Sequence, residues 1–173
     1  MSVLRSDATH YLLGTNQSNV RTCFLDAGQT RIDCTQLNGT LPSNVIPVSF
    51  AADGTRAFVV GARQTGQEMD GEGIYKVDSA SVTAAYTRAL DPNLHFDALG
   101  GGPTRQGVAL SSTYGYFTTT TRLYAFPVLG GSANVVVDKL NHATEVQTDE
   151  SFVYFIEYAD GVQPGGLYRM PLK

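Results

Sequence analysis

At 173 residues, 42% of them hydrophobic, the chain has the length of one domain with a core of useful size. A formal charge of −4 and a pI near 5.2 argue against a nucleic-acid partner, which calls for a basic face. No stretch approaches the ~18 apolar residues of a membrane-spanning helix, and the first residues show neither the basic region nor the apolar core of a secretory leader.

The apolar segments are short, rich in β-branched and aromatic residues, and bounded by Gly, Asp, Asn and Ser, which is the pattern of strands. In chain order, the first unit predicts strands at Ser2–Arg5, within Asp7–Gly14, at Val20–Leu25 and at Thr30–Leu37. A second unit follows with Val45–Phe50, Asp53–Gly61, Gly73–Asp78 and Val82–Leu90. The third has Gly107–Leu110, Ser111–Thr119, Arg122–Pro127 and Ala133–Leu140. The last has Thr144–Gln147, Asp149–Glu157 and Gly166–Pro171, with no fourth segment. No run of ten or more residues carries clean 3.6-residue spacing of apolar positions, so the chain is expected to be all-β.

The second segments are copies of one pattern. Asp53-Gly-Thr-Arg-Ala-Phe-Val-Val-Gly61, Ser111-Ser-Thr-Tyr-Gly-Tyr-Phe-Thr-Thr119 and Asp149-Glu-Ser-Phe-Val-Tyr-Phe-Ile-Glu157 align directly, and Asp7-Ala-Thr-His-Tyr-Leu-Leu-Gly14 is one residue shorter. They start at residues 7, 53, 111 and 149, intervals of 46, 58 and 38, as expected when each repeat is one four-stranded unit. Tyr75, Tyr124 and Tyr168 also fall in register, each after an aliphatic residue. Each copy opens on Asp or Ser because these side chains hydrogen-bond their own backbone in a turn.

Ala51-Ala-Asp-Gly-Thr-Arg-Ala-Phe-Val-Val60 resembles the blade signature of TolB-type and lactonase-type β-propellers. Val153-Tyr-Phe-Ile-Glu-Tyr, followed by Gly165-Gly-Leu-Tyr-Arg-Met-Pro-Leu172, resembles bacterial surface and periplasmic blades related to the YWTD class. The resemblance covers essentially the whole chain and concerns scaffold residues only. It implies a β-propeller of four-stranded antiparallel blades over roughly 1–40, 41–92, 93–141 and 142–173, the last lacking its outer strand. The WD40 and kelch signatures are absent, and a β-sandwich or a solenoid are the alternatives.

Cys23 and Cys34 flank a hairpin whose turn is placed at Gly28-Gln29, a type II′ candidate. That register pairs Asp26 with Arg31 and Cys23 with Cys34, with Cα atoms about 5.5 Å apart if the pair is hydrogen-bonded. A disulfide is therefore expected, which favours a periplasmic or secreted location over a cytoplasmic one. The alternative is two half-buried thiols. C-x10-C lacks the further ligands a zinc site needs. Asn16-Gln-Ser and Asn38-Gly-Thr match the glycosylation pattern, which matters only in a eukaryotic secretory host.

Catalytic motifs are missing. His10, His95 and His142 stand at unrelated points of the repeat, and Gly100-Gly-Gly-Pro-Thr-Arg lacks the Gly-Lys-Ser/Thr of a phosphate loop. The loops differ more than the strands. The segment 62–73 is long and carries Glu68, Asp70 and Glu72; the connection 91–106 carries His95 and Asp97 and exceeds ordinary lengths; the segment 158–165 carries Asp160. Because strands alternate in direction, these loops share one face, where the acidic groups and His95 can hold a cation or a sugar; the bland alternative is a solvated loop surface. We expect a non-catalytic binding module for a protein or carbohydrate, with no cofactor and no resident metal. The alternatives are a channel-site propeller enzyme (a lactonase- or glycan-processing-like hydrolase or lyase) and a fragment of a larger surface propeller. Residues 2–5 already serve as the first strand, and Lys173 follows directly on the last, so a homodimer completing a ring is expected, with a self-closed four-blade monomer as the alternative.

Overall fold

The computed structural model describes residues 2–5, 10–14, 18–25, 32–52, 56–65, 68–78, 81–87, 90, 98–99, 107–159 and 164–172. Among them there is no helix, and the chain forms a succession of antiparallel sheets. The first sheet is β1 (Ser2–Arg5), β2 (His10–Gly14), β3 (Asn19–Leu25) and β4 (Ile32–Thr40), in that spatial order. The second is β5 (Val45–Ala52), β6 (Ala57–Thr65), β7 (Glu68–Asp78) and β8 (Ser81–Thr87), with the short β9 (Ala98–Leu99) also paired to β7. The third is β10 (Val108–Leu110), β11 (Tyr114–Thr118), β12 (Arg122–Pro127) and β13 (Asn134–Asp138). The fourth has three strands, β14 (Ala143–Thr148), β15 (Phe152–Glu157) and β16 (Gly166–Pro171).

Why strands form here is visible in the turns. The Asp149 carboxylate accepts from the Ser151 and Phe152 amides, both at 2.7 Å, while the Asp149 amide donates to the Phe152 carbonyl. Ser111 does the same in the third sheet, its hydroxyl oxygen accepting from the Tyr114 amide at 3.1 Å. Each turn is therefore held by bonds within its own hairpin, as the Asp and Ser openings of the repeat imply.

The sheets pack face to face, first strand beside first strand: β1 on β5, β5 on β10, β10 on β14. Three apolar layers fill the gaps. Val20, Phe50, Val59 and Tyr75 lie between the first and second sheets. Phe58, Ile74, Tyr86, Phe117 and Phe126 lie between the second and third. Tyr116, Leu123, Val146, Val153 and Phe155 lie between the third and fourth. The period-2 alternation of a strand explains this: in β6, Val59 faces back while Phe58 and Val60 face forward, and all are buried on both sides.

Hydroxyls tie the inner strands together. Thr118 donates to the Thr144 carbonyl, Ser18 to the Val45 carbonyl and Thr148 to the Leu110 carbonyl at 2.6 Å. Gly107 must be glycine at this junction, because its amide donates to the Thr144 carbonyl at 2.7 Å and a Cβ would lie 2.3 Å from the Val146 nitrogen. A register bulge falls between Ile74 and Tyr75 where β8 joins β7, and again between Leu123 and Tyr124 where β13 joins β12.

Several expectations are corrected. The segment 62–73 is not a loop: β6 runs on to Thr65 and β7 starts at Glu68, with Arg63 opposite Asp70 and Thr65 opposite Glu68. The pairing there is carried by main-chain groups, so its polar side chains concealed it. Strand β8 is described as far as Thr87, with 88–89 outside the described residues and Leu90 in a turn, and β4 runs on to Thr40 rather than ending at Leu37. The connection 91–106 holds the unanticipated β9. The turn at Gly28-Gln29, the glycine run 100–102 and Asn16 lie outside the described residues.

Candidate functional site

The acidic rim is built on the β6–β7 ribbon. Glu68 and Asp70 take alternate positions of β7, and Glu72 sits in the bulge left where Gly61 opposes Gly73 and Ala62 opposes Gly71. β9 runs along the same end of β7, with Leu99 opposite Met69 and Ala98 opposite Asp70. The hairpin and the long connection are therefore joined by backbone pairing, on the end of the sheets where the β6–β7 turn lies. His95, Asp97 and Asp160 lie outside the described residues. Among the described residues, no three His, Cys, Asp or Glu side chains come together as a metal cluster.

In the β3–β4 ribbon the expected register holds from Leu25 opposite Ile32 to Phe24 opposite Asp33. It then slips by one residue, so that Thr22 opposes Gln36 and Cys23 faces a bulge containing Cys34. Cys23 is buried and carries no free thiol, and among the described residues no cysteine is free.

Sequence reasoning missed a cleft of about 330 Å³ at the opposite end of the sheets. Phe58 and Tyr86 from the second sheet and the turn after β12 wall it, with Arg56 and Lys76 at its margin. The Tyr86 hydroxyl donates to the Pro127 carbonyl, and burial raises its pKa above the ordinary phenol value. Arg56 donates to the Ser112 carbonyl at 3.0 Å, and Lys76 pairs with Asp78 at 3.1 Å. Leu129 stands 93% exposed at the turn's tip, which Gly130 and Gly131 shape with positive φ of 108° and 128°. The Gly130-Gly131 pair after Pro127 was the available signal.

A second polar constellation decorates the fourth sheet. The Tyr154 hydroxyl donates to Asp149 at 2.7 Å, and Arg169 lies 4.7 Å from the Phe152 ring centre. The hydrogen bond from Tyr154, with those from Ser151 and Phe152, lowers the Asp149 pKa; the same bond raises that of Tyr154. On the third sheet, Arg122 donates to Asp138 at 3.0 Å and lowers its pKa.

No protein-family model and no curated protein matches the chain. A solved structure, a chain of the "Crystal structure of Nidogen/Laminin Complex", is similar in fold with a TM-score of 0.64 at 13% identity. The match covers 96% of this chain and 62% of that one, so this chain spans under two thirds of its structural neighbour. At that identity the likeness concerns fold alone, and with the succession of antiparallel sheets it supports a β-propeller-like scaffold. No helix among the described residues is long and apolar enough to cross a membrane.

Proposed function

We propose that the chain is a non-catalytic interaction module that binds a protein or a carbohydrate. The contact surface is the rim formed by residues 62–72 and 91–106, with Glu68, Asp70, Glu72, His95, Asp97 and Asp160 as contact residues. The observation that supports this reading is the pairing of β9 with β7, which aligns the two least repetitive segments of the chain along one edge. The neighbouring fold comes from a protein–protein complex, which is compatible with such a role.

The location consistent with the bonded state of Cys23 is periplasmic or secreted. The partial coverage of the structural neighbour is consistent with a segment of a larger surface propeller. A second copy of the chain belongs among its partners. The rim is tested by titrating divalent cations, a glycan array and candidate proteins against the wild type and against Glu68→Ala/Asp70→Ala/Glu72→Ala. Binding that the triple variant loses supports the reading; turnover of a substrate that survives deletion of the ribbon tip overturns it.

A further inference from the structure

The cleft beside Tyr86 lies between the second and third sheets, each of which is flanked by a further sheet, so both of its walls are interior to the stack. One wall is ring and methyl surface. Phe58 and Tyr86 present carbon there, because the Tyr86 hydroxyl is engaged with the Pro127 carbonyl, and Ala84 and Ala85 continue it along β8 with side chains too short to fill the space. Opposite stands the turn after β12, residues 128–133, longer than the connection 79–80 between β7 and β8. Backbone bonds fix its shape: the Val128 amide donates to the Thr113 carbonyl and the Gly130 amide to the Pro127 carbonyl, both at 3.1 Å. Val128 is buried, whereas Leu129 is carried out to the mouth of the cleft in open solvent. A fixed turn that holds a leucine in water beside an apolar cleft offers contact area at little ordering cost.

The mouth is cationic in a chain whose formal charge is −4. Arg56 and Lys76 line it, and among the described residues lining it there is no carboxylate. Arg56 reaches across the gap to the Ser112 carbonyl at 3.0 Å, a bond to a neutral acceptor that holds the guanidinium in place without cancelling its charge. Tyr114 and Phe152 take that position in the third and fourth units, so the repeat itself does not call for a cation there. Lys76 pairs with Asp78, but both side chains are nearly half exposed, and such a pair is weak and exchanges readily for another carboxylate.

We propose that this cleft docks an acidic peptide segment, seating one aliphatic or aromatic side chain against Phe58, Tyr86 and Leu129 while carboxylates on either side of it lie on Arg56 and Lys76. A peptide is the occupant because the apolar surface is central and the charges are marginal, the arrangement of an anchor with a polar rim. A site for a small molecule places polar groups inside to fix the ligand's orientation, and here the inner hydroxyl of Tyr86 is already bonded. The cleft lies at the end of the sheets opposite the acidic ribbon, so the assignment stands apart from the ligand rim.

The test is an array of short fluorescent peptides in which an apolar residue is flanked by Asp and Glu. Control sets carry Lys for the acids or Gly for the apolar residue, and dodecanoate serves as a free amphiphilic carboxylate. The full chain should bind acidic–apolar peptides, more weakly as salt rises, and neither control set. Leu129→Ser, at a side chain already in water, should melt like wild type and bind about tenfold more weakly. Arg56→Gln/Lys76→Gln should lose the peptides, and Glu68→Ala/Asp70→Ala/Glu72→Ala should keep them. No binding by any acidic–apolar peptide, equal binding by the Lys set, or binding that survives Leu129→Ser and the double variant overturns the proposal. Binding lost in the triple variant instead moves the peptide to the other face, and dodecanoate that binds while peptides do not replaces the peptide with a small amphiphile; either result also overturns it.

Discussion

Gly115 lies under the ring of Phe126, so close that a Cβ at 115 would stand 2.0 Å from Phe126 Cζ. The vacancy lets Phe126 reach Phe58 edge-on at 5.3 Å and Tyr86 at 4.8 Å, which locks the second sheet to the third. Gly115→Ala should therefore cost about 1–3 kcal/mol by overpacking. Urea unfolding should show a lower midpoint with an unchanged slope; an unchanged midpoint would mean that Phe126 yields without loss.

Asp149 gives a signed pH dependence. Its folded pKa is depressed below 3.8 by the Tyr154 hydroxyl and two turn amides. The stability it contributes is present above the unfolded value and lost as pH falls through the folded one. The difference in melting temperature between wild type and Asp149→Ala should be largest near neutrality and shrink in acid below about pH 4. A difference constant down to pH 2 would remove the carboxylate from the explanation.

The Cys23–Cys34 crosslink is expected from the bonded state of Cys23, which faces the bulge containing Cys34. Intact mass without reductant should fall two hydrogens short of the thiol form. Reduction should lower stability by about 2–3 kcal/mol or less, since the closed loop is short. Two thiols titrating in the native protein would refute the bond.

The triple alanine variant at Glu68, Asp70 and Glu72 separates binding from folding. Rim charges contribute about 1 kcal/mol or less each, so thermal unfolding should be nearly unchanged while ligand binding is lost. A large drop in melting temperature would instead make these carboxylates part of the β6–β7 framework.

The legible part of this fold is the local part. Asp149 and Ser111 bond their own turns, so the hairpin starts could be read directly, as could the Tyr75 and Tyr124 register, both 2% exposed. The ribbon beyond Ala62 could not, because Arg63, Gln64 and Thr65 pair through main-chain groups that leave no apolar alternation. Nor could the one-residue slip beside Cys23, which side-chain types do not encode. Among the site residues, Asp70 was found from composition, but its backbone neighbour Ala98 sits on a two-residue strand too short for any pattern. Leu167 reads like Leu123; only the tertiary arrangement separates a sealed side chain from an exposed one.

The bulges at Ile74/Tyr75 and Leu123/Tyr124 have a consequence for how molecules of this kind can accumulate. Both fall at the same step of the repeat, where the outermost strand is attached. A bulge sharpens local twist and breaks the even row of amides and carbonyls that a foreign strand would need. The outer margins of the second and third sheets are thus poor seeds for amyloid-like lateral growth. That protection rests on a single register step in each of the two sheets, where β8 and β13 are joined.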